Sequence, residues 1–186
     1  MDAFEQVIAE IFWKEGYWVQ TSVKINLTKR QKKLLRNYSM PRPEIDVLAY
    51  SGSRNEIKAI ECKSFLNSRG VIADDVLGIS NSKRYKLFTN KRLRDRVLKS
   101  LRAELIANGA CSEQAKIKLC LACGKIPSDR DRKKLQSYFR RKGWGLFDDR
   151  WISEKVRAMA DVKYENQVST VVAKLLKAHF RILDAD

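Results

Sequence analysis

The chain has 186 residues, enough to bury one substantial core and within the usual size of a single domain. Lys and Arg total 38 against 22 acidic residues, a formal charge of +16, so the surface attracts polyanions and nucleic acid is the expected partner. No apolar run reaches the roughly 18 to 20 residues that span a bilayer, and the opening MDAFEQVIAEIFWKEGYWVQ has acids in its apolar stretch and no basic n-region, so no signal peptide and no membrane role are expected and the location expected is cytoplasmic.

Phe4, Val7, Ile8, Ile11 and Phe12 recur at helical spacing, and Gly16 follows as a stop, which predicts an opening amphipathic helix. Tyr17 to Ile25 then reads as a strand. The basic stretch from Lys29 to Arg36 runs into two prolines and is expected to be a loop or flap through Pro43. Glu44 to Tyr50 and Glu56 to Lys63 are β-rich and separated by SGSRN, a turn composition, which predicts a hairpin.

Leu93, Val97, Leu98, Leu101, Leu105 and Ile106 mark a helix from about Asn90 to Ala107, ended by Asn108-Gly109. Lys116 to Cys123 reads as an apolar strand, Ser128 to Lys142 as a helix capped by Ser128, and Trp144 to Phe147 as a short strand. Helices near Arg150 to Ala160 and Tyr164 to Phe180 close the chain. The order is that of a mixed α/β fold, with a core over 1–149 and C-terminal helices over 150–186 that pack on the core or on a partner.

In the predicted hairpin Asp46 falls opposite Glu61, and Glu44 opposite Lys63. Strand alternation puts Glu61 and Lys63 on one face, with Ile60 and Cys62 on the other. Facing carboxylates repel, so a site that keeps them is expected to offer a cation between them. Mg²⁺, or Mn²⁺ in its place, takes oxygen ligands and keeps several waters, which suits Asp46 and Glu61 together with a substrate phosphate. Lys63 is placed to assist a water or offset charge at phosphorus. On the first helix, Glu5 lies at the edge of the Phe4, Ile8, Phe12 stripe and can lean toward the sheet, whereas Glu10 projects to the opposite, solvated side, where its replacement should be nearly silent. The rival reading makes these ordinary charges on a half-solvated hairpin.

The segments FEQVIAEIFWKEGYWV, PEIDVLAY and AIECKS resemble the PD-(D/E)xK, or restriction-endonuclease-like, nuclease superfamily, toward its Mrr-like and Holliday-junction-resolvase-like branches. The resemblance covers roughly residues 1–66. It implies an αβββαβ core with a central mixed sheet flanked by helices, and a site in which Glu5, Asp46, Glu61 and Lys63 occupy the family's catalytic places. Glu44 directly follows the proline, so it stays a second candidate metal ligand beside Asp46, Glu61 and Glu5. The function implied is metal-dependent hydrolysis of DNA, by an endonuclease in preference to an exonuclease, with RNA left open. The alternative is a non-catalytic nucleic-acid-binding or assembly module on the same fold.

Lys29, Arg30, Lys32, Lys33 and Arg36, with Lys91, Arg92, Arg94 and Arg96, can track phosphates by charge. Cys120 and Cys123 form a C-x-x-C inside a strand, where that spacing sends them to opposite faces and favours core packing over zinc; reduced thiols are expected throughout. His179 is the only histidine, which argues against histidine-dependent ribonuclease chemistry. The last helix carries a stripe of Val168, Val172, Leu175 and Leu176 that either covers its own core or joins a second copy as a homodimer.

Overall fold

The computed structural model describes residues 2–80, 82–163 and 165–183. Helix α1 (Ala3–Lys14) starts with a reciprocal capping box in which Glu5 N donates to Asp2 Oδ1 and Asp2 N donates to Glu5 Oε2. It leads into β1 (Trp18–Lys24), then β2 (Glu44–Ser51) and β3 (Glu56–Lys63), which pair antiparallel in sequence order. Strand β4 (Lys116–Cys123) lies parallel to β3, and the short β5 (Gly145–Phe147) lies parallel to β4. The result is one five-stranded mixed sheet in the order β1-β2-β3-β4-β5.

Both faces of this sheet are covered, which explains why β4, between two parallel neighbours, reads as a nearly unbroken apolar run. One face packs on α3 (Ala73–Leu77), α4 (Lys86–Thr89), α5 (Lys91–Ala107) and α6 (Asp129–Lys142) through Val76, Phe88, Val97, Leu101, Leu135 and Phe139. The other packs on α1, α7 (Asp149–Met159) and α8 (Val168–Leu183) through Ile8, Ile11, Phe12, Ile152 and Ala173. Cys120 belongs to the second core and Cys123 to the first, so the C-x-x-C is split across the sheet. Burial pushes the Cys120 thiol up to about 12, and among the described residues all four cysteines are free.

The basic stretch after β1 is a helix rather than a loop: α2 (Lys29–Leu34) is nucleated by Thr28, whose Oγ1 accepts from Gln31 N while Gln31 Oε1 accepts from Thr28 N. The T-x-x-Q box outweighs the prolines, which act only after Arg36 has turned the chain at φ 53°. Helices α3 and α4 fall where no periodicity signals an element, because five and four residues are too few to show one.

The last helix also differs from expectation. Its expected first residue, Tyr164, lies outside the described residues, and its small and polar residues Ser169, Thr170 and Ala173 face inward while Val168, Val172, Leu175 and Leu176 are exposed. Glu10 explains the docking: it is not on a solvated side, since its Oε2 accepts from Ser169 N at 3.0 Å and its Oε1 from Gln6 Nε2 at 3.1 Å. A carboxylate here caps the first turn of α8 from a different helix and complements its dipole. Glu10→Ala is therefore expected to cost about 1 kcal/mol and to expose α8 to limited proteolysis. A wild-type melting curve and digestion pattern would refute this role.

Candidate active site

The β2–β3 ladder runs from Ser51↔Glu56 only as far as Val47↔Ile60. Beyond that rung Asp46 does not face Glu61 across a regular pair. Its side chain replaces the ladder, with Cys62 N donating to Asp46 Oδ2 at 2.7 Å. The partner strand shows why Asp46 is free to turn. Its rung with Ser22 is missing between Thr21↔Val47 and Val23↔Ile45, and Ser22 sits at φ 54° with a buried, unpartnered Oγ. Side-chain alternation breaks at this point: Val47 packs in the α1–α7 core, whereas Ile45 packs in the opposite one. Strict period-two reasoning cannot see such a switch.

Glu61 and Lys63 do share a face, and Lys63 Nζ lies 3.0 Å from Glu61 Oε1 with both side chains largely buried. Lys63 thus pairs with Glu61 and not with Glu44. Burial alone would lower the Lys63 ammonium, but the charge and hydrogen bond of Glu61, joined by Asp46, outweigh it and hold the group above its ordinary value. Burial pushes the Asp46 carboxyl above its usual range, and the charges of Glu61 and Glu44 add to this against the Cys62 N–H and Lys63. Glu5 is also raised, first by burial and then by Asp46 and Asp2, which places the helix carboxylate within electrostatic reach of the strand site.

Asp46, Glu61 and Lys63 are therefore gathered where β2 parts from β3, with Glu44 at the edge, while α1 packs on the Ile60 and Cys62 face, not on the Glu61 and Lys63 face, and Glu5 reaches the group through the charge of Asp46. The close of this corner depends on Gly124, whose N donates to Lys63 O at 2.9 Å. A Cβ at Gly124 would lie 2.3 Å from Ser64 O, a backbone atom that cannot swing aside. Gly124→Ala is expected to cost about 1–3 kcal/mol and to displace Lys63; unchanged stability and an unchanged site would contradict this tight approach.

Glu44 and Glu61 also line a groove of about 290 Å³ walled by the connector Asn37–Pro43 and by Lys83, Arg84, Lys86 and Leu87. Arg42, Lys83, Arg84 and Lys86 are exposed cations on its rim. They escape a search for dense basic clusters, although the run Lys83-Arg84-Tyr85-Lys86 is a visible signal. Arg84 is held over the Phe65 ring at 5.5 Å, and Phe65 itself adopts φ 44° two residues after Lys63.

The two predicted basic clusters adjoin. Gln31 Nε2 donates to Ser100 Oγ at 2.9 Å, bringing α2 against α5, and Arg92, Arg96 and Lys99 share a hollow with Gln31 and Leu34. Lys29, Arg30, Lys33 and Arg36 are exposed on or beside α2, as are Lys91 and Arg92 at the start of α5. Some of these cations are engaged internally. Lys32 Nζ donates to Met40 O, Lys91 pairs with Asp95, and Arg94 donates to Leu87 O and Phe88 O while lying 4.8 Å from the Trp144 ring centre. Arg94 is thereby tied to structure. Trp144 packs with Phe88, Tyr138 and Phe139, and Trp151 with Phe12 and Phe147.

Among the described residues no group of three or more His, Cys, Asp or Glu side chains converges as a ready-made metal cage. The donor set at the corner is instead two carboxylates, Asp46 and Glu61, with Asp46 Oδ2 already accepting from Cys62 N. This chemistry fits a hard ion that keeps most of its waters. Comparison with protein-family models, with curated proteins and with solved structures returned no match to this chain.

Proposed function

We propose that this chain is a nuclease of the PD-(D/E)xK type that hydrolyses DNA phosphodiester bonds, as an endonuclease, with Mg²⁺ or Mn²⁺. The observation that carries this reading is the burial of mutually repelling carboxylates beside a lysine at a break in the sheet, opening on a cation-rimmed groove. A fold that only needed stability would gain by neutralising this corner, and perturbed clustered charges mark sites of chemistry. The element order from α1 through β3, then α5 and β4, supports assignment to the αβββαβ core.

Asp46 and Glu61 are the residues that hold the ion, with Glu44 at the groove edge and Glu5 adding its charge to that of Asp46. When bound, a divalent ion supplies an acidified water and offsets charge on the phosphate. The chain's own groups do the rest. Cys62 N fixes one oxygen of Asp46, so the carboxylate is oriented before substrate arrives. Lys63 Nζ, restrained by Glu61, is held near the reacting phosphate, where an ammonium orients the attacking water and balances the charge that builds up. Glu5 keeps negative charge beside Asp46 and so favours a cation there.

The test is incubation of wild-type and Lys63→Ala protein with supercoiled, linear, branched and single-stranded DNA, and with RNA, in Mg²⁺, Mn²⁺ or EDTA. Cutting that needs both the lysine and the ion supports the nuclease. Cutting of none of them, with salt-dependent binding retained, would favour the binding module.

A further inference from the structure

Beside the catalytic groove lies a second hollow lined by Leu27, Lys29, Arg30, Lys32, Lys33 and Tyr38. Tyr38 is 69% exposed, an aromatic ring standing among cations with no core to fill. The chain continues from it through Met40, Pro41, Arg42 and Pro43 directly along the wall of the groove that holds Glu44 and Glu61. The two hollows thus share one connector, and Lys32 Nζ pins that connector by donating to Met40 O at 2.9 Å.

The chemistry of this path is not that of a surface for duplex backbone alone. Tracking a duplex by its phosphates requires cations and little else. Here an exposed aromatic is set among four cations, and the neighbouring groove combines rim cations with the largely buried apolar side chains of Leu87 and Leu93 beside Met40 and the prolines. Aromatic faces interleaved with cations are the means by which proteins hold unpaired strands, because every base has a face to stack while the backbone follows the charge.

We propose that the substrate is an unpaired segment of a DNA strand, such as a flap or a frayed end, with a base stacked on Tyr38 and the adjoining nucleotide in the groove. Arg42, Lys83 and Arg84 hold the phosphates on either side of the one that meets Glu61 and Lys63. This rests on the nuclease reading for the position of the cut, whereas the binding path stands on its own residues.

Binding and cleavage are therefore measured separately. Fluorescence anisotropy in EDTA compares wild-type, Tyr38→Ala and Tyr38→Phe protein on a labelled single-stranded DNA oligonucleotide, the same sequence as blunt duplex, and the same sequence as RNA. Tyr38 is exposed and outside the catalytic group, so its removal leaves the fold intact. The expected result is tighter binding of single-stranded DNA, weakened roughly tenfold by Tyr38→Ala, restored by Tyr38→Phe, with duplex binding little changed. In Mg²⁺, a flapped duplex is cut in its unpaired arm and the blunt duplex is spared. Equal or better binding of duplex or of RNA, or equal loss on duplex and single strand in Tyr38→Ala, would overturn the proposal. Selective single-strand binding with no cutting of any substrate would overturn the nuclease reading and keep the binding path.

Discussion

Lys63→Ala protein is expected to lose divalent-ion-dependent DNA cleavage by about 10²–10³-fold while still binding DNA, and to be less stable at neutral pH. The activity loss follows from removing the ammonium that is paired with Glu61 at the acid corner. The stability loss has a separate origin. Lys63 is ion-paired with Glu61 at 3.0 Å in a largely buried setting and also offsets Asp46. Taking it away leaves carboxylates to repel one another, at a cost on the order of 2 kcal/mol. Quantified cleavage of a labelled substrate and a thermal melt check both parts. Wild-type cleavage would remove Lys63 from the mechanism, and an unchanged melting temperature would show that the pair contributes nothing to the fold.

Asp46→Asn should abolish cleavage equally and move stability the other way. Asparagine keeps an oxygen to accept from Cys62 N but carries no charge. In the wild type the Asp46 carboxyl is raised in the fold, so the folded chain holds that proton more tightly than the unfolded chain does. The resulting penalty is absent at low pH, where both states are protonated. It grows as pH rises from the ordinary value of 3.8 through the raised folded value. The variant should therefore melt higher than wild type at pH 7, by about 2–4 °C for each kcal/mol relieved, and the gap should close toward pH 3. Adding Mg²⁺ should raise the wild-type melting temperature and leave the variant's nearly unmoved. An ion effect of equal size on both proteins would mean that Asp46 is not a ligand.

The contrast between these two variants shows which parts of the site were legible in the sequence. Glu61 and Lys63 share a face because β3 is regular to its end, so alternation alone finds them. Asp46 could be placed near Glu61 from the hairpin register, which holds from Val47↔Ile60 to Ser51↔Glu56. Its contact with Cys62 N could not, because that depends on Ser22 at φ 54° breaking the alternation of β1 and β2, and no serine announces a left-handed backbone. Glu10 was misplaced for a related reason. Helical projection tells which side of α1 a residue occupies, yet whether that side meets water or the start of α8 is settled more than 150 residues later in the chain. The groove cations Arg42, Lys83 and Arg84 come from two connectors, and Lys86 from the start of α4, whose approach no local pattern encodes.

The mixed sheet also divides the folding of this chain into a fast part and a slow one. Asp46, Glu61 and Lys63 all lie within one hairpin, whose strands meet across a short turn. The parallel pairing of β3 with β4 must instead close the whole segment 64–115, and such closures are entropically expensive and late. The acidic corner is thus sketched early, by contacts nearby in sequence. It is sealed only when β4 pairs along Glu61 and Lys63 and its end brings Gly124 N to Lys63 O and against Ser64, so a competent site waits on a contact from far along the chain.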